Sequence, residues 1–160
     1  MFAAGDRVVY PLHGGAVVKN VECRECNGEI REYLVLQTVF ENMVVTIPLC
    51  NAEKIGLRQI VSAAELEQIA GILREIPDIK SIKSISWNRR FHLYMDKIKS
   101  GSIQEVARVF RILSCLENDK KISVGERRLL HNTRQILQSE IMLVKNIDAA
   151  QADLWLQQCC

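Results

Sequence analysis

The chain has 160 residues, 21 Lys/Arg against 19 Asp/Glu, and 48% apolar content, enough for one ordinary domain or two small ones with modest cores. These values exclude a disordered or fibrous chain. No apolar run approaches the ~20 residues needed to cross a bilayer, and residues 1–6 lack the pattern of a signal peptide, so a cytoplasmic protein with no membrane contact is expected.

The first sixty residues change character every few positions, as short strands do. Arg7–Tyr10 is β-branched and aromatic, and residues 11–15 (Pro-Leu-His-Gly-Gly) make a turn. Residues 16–21 and 31–39 read as the next two strands, with 23–28 as the hairpin between them and Asn27-Gly28 as a strong turn dipeptide. A fourth strand over 43–47 ends at Pro48, a helical turn over 51–55 closes at Gly56, and residues 57–61 supply a fifth strand. Short strands joined by tight turns predict a small, strongly bent sheet or barrel.

At Ser62 the periodicity switches. Ser62-x-x-Glu65, Ser102-x-x-Glu105 and Ser123-x-x-Glu126 each fit the capping box, in which the two side chains satisfy orphan backbone N–H groups at a helix start. Helices are predicted over 63–75, 87–99, from 103, over 124–144, and after Asp148, with 78–85 as a linker or extended arm. The predicted class is α+β, with a β-domain over 1–61 followed by a helical domain of about five helices over 62–160.

Charge is unevenly placed. Residues 80–111 hold eight Lys/Arg against Asp96 and Glu105, a balance of +6, and the rest of the chain sums to −4. Within this stretch Trp87 stands beside Arg89 and Arg90. An exposed aromatic among cations is the footprint of a protein that touches phosphate backbone, with the aromatic free to wedge between base steps. The alternative left open at this point is that Trp87 packs in a core and the arginines face solvent. Trp155 reads as core or docking.

Catalytic chemistry is not evident. His13, His92 and His131 have no nucleophile or carboxylate at an interpretable spacing, and no phosphate-binding glycine loop occurs. The His13-Gly14-Gly15 run is explained by positive-φ turn geometry. Cys23 and Cys26 have half the spacing of a zinc site, but no second half accompanies them. The six cysteines are read as reduced thiols, and the chain is read as a non-enzyme with neither metal nor cofactor.

The run Gly5-Asp6-Arg7-Val8-Val9-Tyr10-Pro11-Leu12-His13-Gly14-Gly15 resembles the bacterial CarD/CdnL transcription regulators, as do Glu32–Leu36, Gly56-Leu57-Arg58, Ser86-Trp87-Asn88-Arg89-Arg90 and Ser123–Arg127. The opening motif is shared with the RNA-polymerase-interacting domain of the transcription-repair coupling factor, and the helical half with its tryptophan is what singles out CarD/CdnL. The resemblance implies a Tudor-like amino-terminal domain that binds the polymerase β subunit. It also implies a helical domain that contacts promoter DNA, without reading sequence, at the upstream edge of the bubble.

By the same resemblance, Trp87 is the minor-groove wedge and Arg89, Arg90, His92 and Arg127 are DNA contacts. His92 occupies a position that is lysine in some members. Arg24, in the second hairpin, and Thr46, arginine in some relatives, are the implied β-subunit contacts. Nothing demands a dimer, so a monomer is expected. A protein-interaction adaptor without DNA contact is the rival reading, and a redox sensor using Cys23 and Cys26 is a second.

Overall fold

The computed structural model describes all 160 residues. Five antiparallel strands come first: β1 (Arg7–Tyr10), β2 (Gly14–Cys26), β3 (Glu29–Thr38), β4 (Val44–Pro48) and β5 (Arg58–Gln59), in the order β4-β3-β2-β1-β5. Six helices follow: α1 (Ala63–Arg74), α2 (Ile79–Lys83), α3 (Trp87–Lys99), α4 (Ile103–Asn118), α5 (Val124–Lys145) and α6 (Ala149–Cys159). The β-then-helical order is the one expected. The sheet is not closed into a barrel, because its edge strands β4 and β5 do not pair with each other.

Alternation builds the sheet's inner face. Val8, Ala16, Val18, Leu34, Leu36 and Ile47 point one way and pack with Ala52 and Leu57. Asn27 and Gly28 both adopt positive φ (52° and 79°), the geometry of a tight hairpin turn. β2 and β3 therefore extend to Cys26 and from Glu29, well past the expected strand ends, and project as an arm. A register shift between Val18 and Asn20 breaks the ladder at the root of this arm.

The helices share a second, larger core, built from Leu66, Ile69 and Leu73 on α1, Val106, Phe110 and Leu113 on α4, and Leu137 and Ile141 on α5. Two of the three expected capping boxes form in full, and the third, at Ser102, forms only its serine half because the Glu105 carboxylate turns to Arg108 and Lys97. Ser62 and Ser123 make complete capping boxes with Glu65 and Glu126, Asp148 makes one with Gln151, and Ser102 accepts from the Glu105 N–H. Residues 78–85 are not an extended arm. Asp78 accepts hydrogen bonds from the Ser81 N–H (3.2 Å) and hydroxyl (2.7 Å), which starts the short α2. Ile79, at its first position, packs against the helical core.

Sheet and helices meet along α5. The Gly15 N–H donates to Ser139 Oγ at 2.7 Å, and a Cβ on Gly15 would lie 3.0 Å from the Ser139 carbonyl oxygen. Gly15 has no positive φ, so close approach of α5, rather than turn geometry, is what requires glycine there. Arg58 forms a bidentate pair with the fully buried Glu140 (2.8 and 2.9 Å), and the Val61 N–H donates to the same carboxylate at 3.0 Å. Its Nε reaches the Gly101 carbonyl, tying β5 to the α3–α4 connection. Arg7 donates to the Leu143 carbonyl at 2.6 Å.

Candidate nucleic-acid interface

Helices α3 and α5 begin side by side. Trp87 is the first residue of α3, and its indole lies across Gly125 in the first turn of α5, where a Cβ would stand 2.8 and 2.9 Å from Cζ2 and Cη2. Phe91, one turn along α3, meets the indole edge-on with ring centres 5.6 Å apart. The side chain is thus supported from below and beside, yet Trp87 stays 37% exposed, a large value for tryptophan. The core alternative for Trp87 does not hold. Trp155, by contrast, packs against the helical core, with the Lys145 ammonium 5.6 Å from its ring.

The cations around Trp87 divide into two kinds. Arg89 and His92 on α3 and Arg127 on α5 are exposed, and none of them forms a salt bridge. Arg128, which the sequence reading did not single out, is also exposed on α5. Arg90 turns inward: its side chain is 15% exposed and donates from Nη2 to Glu126 Oε1 at 3.0 Å. The Glu126 carboxylate is fully buried and also accepts from the Tyr94 hydroxyl at 3.4 Å and the Ser123 N–H at 3.4 Å. Burial, reinforced by this carboxylate, pushes the Tyr94 hydroxyl up to about 12. The Lys121 ammonium, brought from the α4–α5 connection against Lys83 of α2, lowers the Lys83 pKa. The Asp119 carboxylate offsets part of this repulsion.

On the sheet, the register puts the other two predicted residues on one face, on the two strands that flank β3. Arg24 lies opposite Arg31, and Thr46 lies opposite Val35, four residues along β3 from Arg31, so all four share one face. Arg24 is exposed, pairs with Glu22 at 2.8 Å and lies 5.4 Å from the centre of the Tyr33 ring. Beside this face, β4 leaves one edge unpaired.

Residues 2–61 match the family model for the CarD-like/TRCF RID domain, and residues 68–157 match the model for the CarD C-terminal domain. The chain belongs to the CarD/CdnL family. It is also 32% identical over 151 residues to "Putative transcription factor YdeB" of Bacillus subtilis (strain 168), an alignment covering 94% of this chain and 97% of the relative. This CarD protein is a transcription regulator, and no helix in it is long and apolar enough to cross a membrane.

The family assignment gives the geometry its context. The RID match covers the strands carrying Arg24 and Thr46, and the C-terminal match covers the helices carrying Trp87 and its cations. Cys23 and Cys26 are three residues apart on β2, so the pleat sends them to opposite faces, and no cluster of three His, Cys, Asp or Glu side chains could hold a metal ion. Sequence reasoning missed Gly125, Glu126 and Lys121. Glu126 was legible only as a capping residue, because the box signal says nothing of the arginine that the fold brings to it.

Proposed function

We propose that this CarD protein binds the RNA polymerase β subunit through the outer face of its sheet and stabilises the open promoter complex by inserting Trp87 into the minor groove at the upstream edge of the bubble. The observation that carries this reading is the half-exposed Trp87, held at the junction of two helix starts and bordered by the unpaired cations Arg89 and Arg127. A tryptophan used only for packing has no reason to stand 37% exposed among free arginines.

Each part has a physical task. The RID face, with Arg24 and Thr46 beside an unpaired strand edge, docks on polymerase and raises the local concentration of the helical half beside DNA. Phosphate contacts from Arg89, Arg127 and His92 that are weak and salt-sensitive in isolation then suffice. The indole enters more readily where base steps are already unstacked, so it binds the melted state better and shifts the equilibrium toward it. Sequence need not be read, because phosphate contacts position a protein on DNA without carrying sequence information. The protein acts as a monomer, without catalysis.

A buried Trp87 would have made the adaptor the better reading, and the exposed indole favours the DNA reading over it. Permanganate reactivity of bubble thymines at equilibrium tests the proposal. Wild type should raise the open fraction formed by the cognate polymerase, and Trp87→Ala should return it to the polymerase-only value while still binding polymerase. An equal rise with both proteins would refute the wedge.

A further inference from the structure

The seating of Trp87 is more elaborate than a solvent-facing wedge needs, and its parts come from two helices. Gly125 lies inside α5 with no positive φ, so the backbone does not ask for glycine; the ring lying across it does. The next residue, Glu126, is fully buried and holds Arg90, whose guanidinium carbon stands 6.0 Å from the indole centre. Arg90 also reaches back from Nη1 to the Ile85 carbonyl at 3.4 Å, two residues before the tryptophan. Its Nε is buried with no acceptor. An arginine in this position is a poor phosphate ligand: its fork is already engaged, and its charge is cancelled by a carboxylate that cannot leave.

Resting on the function proposed above, we infer that Gly125 and the buried Arg90–Glu126 pair form a seat that fixes the Trp87 indole in its half-exposed attitude, and that Arg90 acts through the tryptophan rather than on DNA. Gly125 is the floor, Arg90 the wall, and Phe91 closes the edge. A tryptophan free to change rotamer would lose that freedom on entering the groove, whereas a seated ring has already lost it during folding. Arg90 is therefore a positioning residue. Arg89, exposed and unpaired beside it, faces the phosphates.

The test uses full-length protein with cognate polymerase and promoter DNA. Fluorescence is read on the free protein in a Trp155→Phe background, where Trp87 is the sole tryptophan. Gly125→Ala places a methyl carbon where the ring lies and favours helix locally, so α5 should stay folded by circular dichroism. The seat predicts that acrylamide quenches Trp87 more readily in this variant. It also predicts that the open-complex lifetime falls about fivefold, the factor set by one lost aromatic contact, while recruitment and salt dependence hold.

Glu126→Gln separates the two roles of Arg90. A released phosphate ligand would preserve the lifetime and steepen its salt dependence. A disturbed seat shortens the lifetime with the salt slope unchanged. Wild-type quenching and lifetime in Gly125→Ala would overturn the inference, as would a steeper salt slope without loss of lifetime in Glu126→Gln. Trp87→Ala, run in parallel, keeps the failures distinct. If it leaves the lifetime unchanged, the minor-groove reading falls and quenching alone judges the seat. If it shortens the lifetime while Gly125→Ala does not, the seat alone falls.

Discussion

Replacing Arg58 with alanine should destabilise the whole protein far more than any surface ion pair could. The Glu140 carboxylate is fully buried, and three of its hydrogen bonds are visible: two from Arg58 at 2.8 and 2.9 Å and one from the Val61 N–H at 3.0 Å. Arg58→Ala removes two of these and strands the charge, a change that costs about 3–5 kcal/mol when the partner is buried. The Arg58 side chain is 27% exposed, so water can reach part of the vacated space and the lower end, about 3 kcal/mol, applies. With a urea m-value of about 2 kcal/mol/M, the unfolding midpoint should fall by roughly 1.5 M. Because the same arginine joins β5 to α5 and to Gly101, its loss should also loosen the sheet from the helices. Replacing both partners with Met and Leu should recover much of the loss, since the stranded charge disappears. A loss below about 1 kcal/mol for Arg58→Ala, the value of an exposed pair, would refute the clamp.

Arg89→Ala and Arg127→Ala should each weaken DNA association to a similar degree on unrelated promoters and reduce the slope of log K against log salt by about 1; a promoter-dependent loss would point to base readout instead. Arg24→Glu should impair binding to the polymerase β subunit while changing stability by less than about 0.5 kcal/mol, because its partner Glu22 is itself partly exposed; pull-down and urea melts read the two effects separately. Burial holds the Tyr94 hydroxyl neutral up to about 12, so its contribution to stability is complete below its ordinary value near 10 and is lost as pH rises from there through about 12. Tyr94→Phe should flatten that alkaline limb in urea melts taken at successive pH values, and an unchanged limb would refute the assignment.

The elements most legible in the sequence were those with local causes. Capping boxes at Ser62 and Ser123 announced α1 and α5, and Asn27-Gly28 announced the hairpin, because each signal acts within a few residues. The sheet's failure to close was not legible, since closure depends on whether β4 and β5 meet, and no local pattern encodes that. α2 was missed because Pro77 and the short span suggested a break, while the Asp78 cap that restarts the helix is one residue beyond it.

At the candidate site, the charge run and Trp87 were visible in one dimension. The inward turn of Arg90 was not, because its partner Glu126 is 36 residues away. Arg58 and Glu140, 82 residues apart, were hidden for the same reason. Residues that act through long-range pairs look like surface charges until the fold brings their partners to them.

The central claim rests on the tryptophan, and the lifetime of the open promoter complex after a heparin challenge tests it most directly. Cognate polymerase is compared alone, with wild-type protein and with Trp87→Ala. A lifetime lengthened by wild type and restored to the polymerase-only value by the substitution, with polymerase binding intact, is the predicted result. Equal lifetimes with both proteins, each bound to polymerase, would contradict it.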